Sequence, residues 1–336
     1  MKVVLFSDIH FGEKSNSDTH NKHCLDFLQF MSEWCDENLS EDFITVFMGD
    51  WFHNRNTINV KTLNYGKEGL ITLSNIGDEQ YIIIGNHDLY FLDRRDNHSV
   101  IIPEDASGIQ VIDEPIMKDG ILLCPWLLKG ESLKDLISEH HPHYVLGHFE
   151  FPSFPLNQMV KFPGEFNPFD YDGVRRICSG HFHTRSEKNN ITYIGNCFSH
   201  NFSDKNDWHN KGFAVLDTDT NEIQYVEWKD APKYCYTSVS TLDKVEFSNN
   251  MYMKIVNDIN LDQDNINKLY DGLKQSGNVA ECHIIPKEME IVTQVEEIEM
   301  EDIGNVNTII PELLKKFEME GIDSNKLAVI YNQLEV

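Results

Sequence analysis

Short apolar runs alternate with longer stretches of helical spacing through residues 1–230. Residues 3–7, 43–48 and 81–84 read as buried strands. Between them, residues 23–38 place Leu25, Leu28, Met31 and Trp34–Cys35 near a helical period, and residues 60–73 read as a second helix interrupted by Gly66 and Gly69. This is a βαβαβ progression. The following stretch is richer in strands, with runs at 121–124, 144–146, 176–178, 192–194, 212–216 and 223–227, and a turn at 217–221 between the last two. Two packed sheets with helices outside accommodate that mixture. Residues 149–172 carry Pro152, Pro155, Pro163 and Pro168 among seven Phe or Tyr positions, and read as a long irregular loop.

The pattern changes beyond Lys229. Residues 252–256, 262–275 and 279–285 read as strand, helix and strand, a small α/β module. The expected boundaries are a first domain at 1–230, the module at 231–286, an acidic linker at 287–305 and a tail at 306–336. The tail offers two amphipathic helices, 309–319 and 324–334, with Gly321 as a stop and Asp323 or Ser324 as a cap. They can pack on their own protein or bind a partner.

Composition adds constraints. The chain has 336 residues, 40% of them apolar, and no stretch approaches a membrane span. Its first residues turn polar too quickly for a signal peptide. Seven scattered cysteines without a C-x-x-C pair fit reduced, buried thiols in a cytosolic compartment. The formal net charge of −27 should repel bulk nucleic acid. Part of that excess is local, with seven acidic residues and no Lys or Arg between Glu288 and Asp302. Acidity argues against a histone-like coating of DNA, but not against an enzyme touching a phosphate backbone through a few basic side chains. Arg55, Lys61, Arg94, Arg95, Arg175, Arg176 and Arg185 are the candidates for such contacts.

Five of the apolar runs end in the same kind of residue. The segments are Asp8-Ile9-His10, Gly49-Asp50-Trp51-Phe52-His53, Gly85-Asn86-His87-Asp88, Gly147-His148 and Gly180-His181-Phe182-His183. A single Gly-His is ordinarily just a strand end. Five in order supply enough oxygen and nitrogen donors for two adjacent divalent ions. Asp50 suits a bridging carboxylate. Asp8, His10, Asn86, His148, His181 and His183 supply the remaining donors, a mixture better suited to Mn²⁺, Fe²⁺ or Zn²⁺ than to Mg²⁺ or Ca²⁺. His87 can face a leaving group as proton donor, with Asp88 expected to fix its imidazole. His53 contacts the phosphate or braces Asp50. His140, His141 and His143 read as a surface loop, and His20, His23, His98, His200, His209 and His283 have no comparable context.

The ordered set resembles the calcineurin-like metallophosphoesterase superfamily, and within it the nuclease subunit of SbcCD-type recombination complexes, especially the version carried by large tailed phages. Three further stretches carry the likeness: residues 49–55, residues 179–184, and Tyr193-Ile194-Gly195-Asn196 leading to Lys211-Gly212-Phe213. The resemblance implies a four-layered α/β/β/α core with a small α/β capping domain and a C-terminal helical hairpin. It implies one ion on Asp8, His10, Asp50 and His183, and a second on Asp50, Asn86, His148 and His181, usually Mn²⁺. It makes His87 the transition-state histidine supported by Asp88, and His53 a residue affecting exonuclease action. The implied activity is 3′-to-5′ exonuclease on duplex DNA and endonuclease on single strands or hairpins. The implied setting is a homodimer with a coiled-coil ATPase of the structural-maintenance type, in the cytoplasm. One departure stands out: the family usually has Gly-Ser/Thr-Pro where this chain has Gly195-Asn196-Cys197. Two other readings compete. A phosphatase or cyclic-nucleotide phosphodiesterase on the same scaffold would not need the modules after residue 230. A non-catalytic scaffold would not need every ligand type plus His87.

Overall fold

Alternation along the strands decides the layering. In the first strand, β1 (Lys2–Phe6), Val3 and Leu5 join one buried cluster while Val4 and Phe6 join another on the opposite face. A computed structural model describes residues 1–287 except 41, 156–161, 163–166, 168–170 and 206. After β1 come a single turn α1 (Glu13–Asn16), α2 (Asp18–Asn38), β2 (Phe43–Phe47), α3 (Val60–Leu73), β3 (Glu79–Ile83) and β4 (Gln110–Ile112). Then follow β5 (Ile116–Lys118), β6 (Ile121–Cys124), α4 (Leu133–His140), β7 (Tyr144–His148), β8 (Arg176–Gly180), β9 (Ser186–Lys188) and β10 (Ile191–Tyr193). Finally, β11 (Gly212–Asp217) and β12 (Glu222–Glu227) return to the first sheet.

The first sheet has the order β12-β11-β1-β2-β3-β4, and the second β5-β6-β7-β8-β10-β9. In the first, β1 to β4 run parallel, and β11 joins β1 antiparallel with Val3 opposite Leu216. In the second, β6, β7, β8 and β10 run parallel, with antiparallel edges β5 and β9. Val46 and Ile83 of the first sheet meet Leu123, Leu146 and Cys178 of the second in the central core. Phe27 and Leu28 of α2 and Leu70 of α3 cover the first sheet outside. Leu133 of α4, with Phe149, Phe151 and Phe154, covers the second. This is the expected α/β/β/α order.

Several boundaries differ from the sequence reading for local reasons. α2 starts at Asp18 rather than residue 23, because Ser17 caps it, accepting from His20 N at 3.4 Å. Its first turn buries polar His20 and Asn21, so it carries no apolar signal. α4 was not expected; it is short, capped by Ser132, and buries little beyond Leu133. Gly66 and Gly69 do not weaken α3 but let it pack: a Cβ on Gly66 would lie 2.4 Å from Phe52 Cζ, and one on Gly69 2.9 Å from Phe11 Cζ. All seven cysteines are free and buried.

A third sheet of three parallel strands, β13 (Lys233–Ser238), β14 (Met251–Asn257) and β15 (Val279–Pro286), carries α5 (Gln263–Gln275) between its last two strands. Cys235, Met253, Ile255, Leu273 and Cys282 form its core. The predicted strand, helix and strand are present, and β13 adds an edge that the sequence reading did not include. All but Lys287 of the acidic linker, and the tail helices, lie outside the described residues. Among the described residues no helix is long and apolar enough to cross a membrane.

Glycines on α3 and α5 should respond oppositely to alanine. Gly66→Ala forces Phe52 to move and should cost about 1–3 kcal/mol. Gly272→Ala meets nothing within 4 Å among the described residues and should gain about 0.5–1 kcal/mol from helix propensity. Urea unfolding of each variant against the parent chain measures both signs.

Candidate metal centre

All five polar segments leave the carboxyl ends of parallel strands: β1, β2 and β3 in the first sheet, β7 and β8 in the second. The facing sheets therefore bring them to one edge, where sites form in such folds. The loops after β1 and β2 run side by side, with Asp8 N donating to Gly49 O at 3.0 Å, His10 N to Asp50 O at 3.1 Å and Phe11 N to Trp51 O at 2.8 Å. Asp8 (φ 55°), His10 (φ 51°), Asp50 (φ 68°) and His181 (φ 86°) all have left-handed backbone. Non-glycine residues rarely adopt it, and such strain gathers at functional sites. Close approach explains the preceding glycines. A Cβ on Gly49 (φ 100°) would lie 2.3 Å from His148 Nδ1, and one on Gly85 2.2 Å from Asp50 Oδ1.

The donor atoms fall into two groups that share Asp50. Asp8, His10 and Asp50 place one ligand atom each within 4.8 Å of one another, and so do Asp50, His148 and His181. His10 Nε2 lies 3.6 Å from Asp50 Oδ2 and 3.9 Å from Asp8 Oδ1, and His183 Nε2 lies 3.9 Å from Asp8 Oδ1. On the other side, His148 Nε2 lies 3.3 Å from Asp50 Oδ2 and 3.1 Å from Asn86 Oδ1. The seven expected donors thus converge, each near the neighbours expected for it.

Their chemistry fits a pair of divalent ions. His10 is 3% exposed, yet among the described residues neither ring nitrogen has a hydrogen-bond partner. Burial holds its pKa well below the ordinary histidine value, against the pull of Asp50, so it offers a neutral lone pair. His148 Nδ1 is 2.6 Å from Met48 O and donates to it, which leaves Nε2 facing two oxygens. Burial works against a charge on His148, but the Asp50 carboxylate outweighs it and pushes the pKa up to about 9. Burial likewise works to raise Asp50, but His148 and His87 hold it well below the carboxylate range. A cation must sit among these atoms, whether a proton or a metal.

His87 lies beside this centre. Its backbone N donates to Asp50 Oδ1 at 2.9 Å, and its Nδ1 donates to the His53 carbonyl at 2.6 Å. That carbonyl, not Asp88, orients the imidazole, which corrects the expected contact. The Asp88 carboxylate instead accepts from the backbone N–H of Asp50 (2.8 Å), Gly85 (2.9 Å), Trp51 (2.9 Å) and Phe52 (3.4 Å). Successive side chains diverge here, so Asp88 points into the protein while His87 faces the site. His53 Nδ1 pairs with Glu13 Oε2 at 2.7 Å, and its ring stacks 5.6 Å from His87. Burial works to raise the Glu13 pKa, but the hydrogen bond and charge of His53 hold it well below the usual range.

The structure adds residues that the sequence reading missed. His200, set aside at the sequence level, is 1% exposed, and its ring lies 5.4 Å from that of His10 and 5.3 Å from that of His183. Trp126 lies 5.2 Å from His181, and Glu150 Oε1 lies 3.1 Å from His181 Nε2. Buried Lys211 donates to the His183 carbonyl at 2.8 Å and pairs with Asp204 and Asp207. Except for Glu150, two residues past His148, none of these follows one of the five marked strand ends. His140, His141 and His143 lie at the end of α4 and ahead of β7, away from the centre.

Several candidate DNA-contacting basic residues serve the fold instead. Arg95 is 4% exposed and holds Trp126 O and Glu131. Arg176, at the far end of β8, binds Asn221 and Thr192, and Arg185 stacks 3.9 Å over Tyr225. Lys61 pairs with Asp18, Arg94 with Asp96, and Arg175 Nη1 donates to Thr218 O at 3.5 Å. Arg55 is half-buried on the loop beyond His53.

Comparison with known proteins agrees with this geometry. Residues 1–185 match the calcineurin-like phosphoesterase family. The chain is 30% identical over 234 residues to "Exonuclease subunit 1" of Enterobacteria phage T4, covering 67% of each protein. The chain belongs to the calcineurin-like phosphoesterase family.

Asp88 gives this centre a structural test. Asp88→Asn turns one acceptor oxygen into a donor facing backbone N–H groups, and should cost about 1.5–3 kcal/mol of stability. Urea unfolding measures the loss, and an unchanged midpoint would show that the clamp is dispensable.

Proposed function

We propose that this calcineurin-like phosphoesterase is a DNA nuclease that hydrolyses phosphodiester bonds with two divalent ions. The observation that carries the chemistry is the pair of donor groups sharing the buried Asp50 carboxylate, with His87 at their edge. The likeness to an exonuclease subunit supports DNA as the substrate. Asp8, His10, Asp50 and His183 would hold one ion, and Asp50, Asn86, His148 and His181 the other. Mn²⁺ suits this mixed nitrogen and oxygen set. Ions so held would polarise phosphoryl oxygens and lower the pKa of water toward neutrality.

The protein's own groups then have distinct tasks. Because His87 Nδ1 is engaged by the His53 carbonyl, its Nε2 is left to carry a proton to the departing alkoxide oxygen. Asp88 supports this indirectly, by fixing the backbone on which Asp50 and His87 sit. His53, braced by Glu13, is positioned to meet a phosphate beside the scissile bond. The activity is 3′-to-5′ exonuclease on duplexes and endonuclease on single strands or hairpins. The third sheet, within residues 231–286, acts as the capping domain that helps hold DNA. The tail at 306–336 binds an SbcC-type ATPase, the acidic linker at 287–305 joins tail and module, and the assembly is a homodimer in the cytoplasm. The word "subunit" in the relative's name supports the partnership.

Cleavage of end-labelled duplex, hairpin and single-stranded DNA with Mn²⁺ or Mg²⁺, with and without the ATPase, tests this reading. Rapid turnover of a small phosphodiester without DNA cleavage in any arm would sink it. His87→Ala should keep two bound ions while cleavage falls by about 10²–10⁴-fold. Undiminished cleavage would remove His87 from the chemistry. Deleting residues 308–336 should abolish ATPase binding while leaving metal content intact.

A further inference from the structure

We propose that His200 is a further ligand of the ion held by His10 and His183, a proposal that rests on the two-ion reading above. His200 lies on the loop between β10 and β11, and no strand end marks it. Its side chain is buried, and among the described residues neither Nδ1 nor Nε2 has a hydrogen-bond partner. A buried imidazole with both nitrogens unpaired is unfavourable unless something takes its lone pair or its proton. The groups around it supply the reason. Its ring is roughly perpendicular to those of His10 (5.4 Å, 78°) and His183 (5.3 Å, 74°). His10, His183 and His200 place one donor atom each within 4.8 Å of one another. Three neutral imidazoles each offer one lone pair, and three converging nitrogen donors favour a borderline transition ion over Mg²⁺.

The backbone of this loop is tied down for such a role. His200 N donates to Asp204 Oδ2 at 2.9 Å, and Asn196 Nδ2 donates to the same oxygen at 3.0 Å. Lys211 Nζ lies 3.5 Å from Asp204 Oδ1 and 2.8 Å from the His183 carbonyl. One carboxylate and one ammonium thus fix the His200 loop and the His183 loop to each other. Asn196 belongs to the Gly195-Asn196-Cys197 step that departs from the family pattern, so the departure and the extra imidazole lie on one loop. The ring also touches Phe198 (5.0 Å) and His20 (5.2 Å), so simple packing is the alternative.

The 336-residue chain, stripped with EDTA, should be titrated with Mn²⁺ by calorimetry and examined by pulsed EPR at one equivalent. The parent chain should show two binding events. His200→Ala and His200→Phe should each weaken one event by at least about tenfold and leave the other unchanged. Each should also remove one nitrogen coupling from the Mn²⁺ spectrum. Unchanged affinity and couplings, or a loss in the Ala variant with the Phe variant intact, would overturn the assignment in favour of packing. Thermal unfolding of the stripped variants checks the fold, and His200→Gln serves if both others unfold: retained affinity and couplings in it would equally overturn the assignment. A parent chain binding no ion would remove the two-ion reading itself, an outcome distinct from loss confined to the variants.

Discussion

A single buried carboxylate, that of Asp88, ties the ends of β2 and β3 together. It accepts from four backbone N–H groups, three on the loop after β2 and one at Gly85. In return, Asp50 on that loop accepts from the backbone of His87. The two loops hold each other in a conformation that neither would choose alone. Asp50 is left-handed, and left-handed backbone outside glycine persists only where surrounding bonds over-determine it. The carboxylate therefore supplies a fixed direction for Asp50, and every donor group in the centre includes Asp50 or a residue bonded to it.

Charge follows from that geometry. Asp8 and Asp50 are almost wholly buried and face imidazoles rather than Lys or Arg. Burying two carboxylates in this way is costly unless cations share the space. The wider surface offers a DNA backbone little help. The net charge is −27, and Arg95, Arg176 and Arg185 are committed to internal contacts. Under the proposed function, attraction for a phosphate backbone would then concentrate at the centre itself or come from a partner surface, since long-range steering would be repulsive.

The legible part of the site was the part written at strand ends. A polar residue after an apolar run at the carboxyl end of a parallel strand has only one place to go, and five such ends converge because two sheets face each other. The layering was legible for the same reason, since the unbroken apolar run of β1 and the helical period of α2 are both local signals. Contacts between neighbours in sequence were less so. Asp88 follows His87, yet adjacency gives opposite directions, and the carboxylate turns inward while the imidazole turns out. Gly66 and Gly69 read as weaknesses of α3, because a sequence shows the missing side chain but not the Phe52 and Phe11 rings that need the space. Glu13, an acidic residue after Gly12 that no motif marks, is buried against His53.

The loop from β10 to β11 was the least legible region, and it shows what sequence periodicity leaves out. It contains no long apolar run, yet Asn196, His200, Asp204 and Lys211 are all buried within or beside it. Their order comes from one another: Lys211 satisfies Asp204, and Asp204 satisfies His200 N and Asn196. These bonds fix one conformation of the loop, and among the described residues the His200 ring nitrogens and Asn196 Oδ1 are the atoms of this network that they leave unmet. It joins the centre through the His183 carbonyl, held by the same lysine. The backbone of His183 is therefore anchored by a buried lysine 28 residues away in sequence. A glycine followed by serine or threonine and proline could shape the turn at residue 196 but would lack the side-chain amide that reaches Asp204. In this chain the turn and the network are coupled, and the step that breaks the family pattern is the one that helps fasten the loop carrying His200.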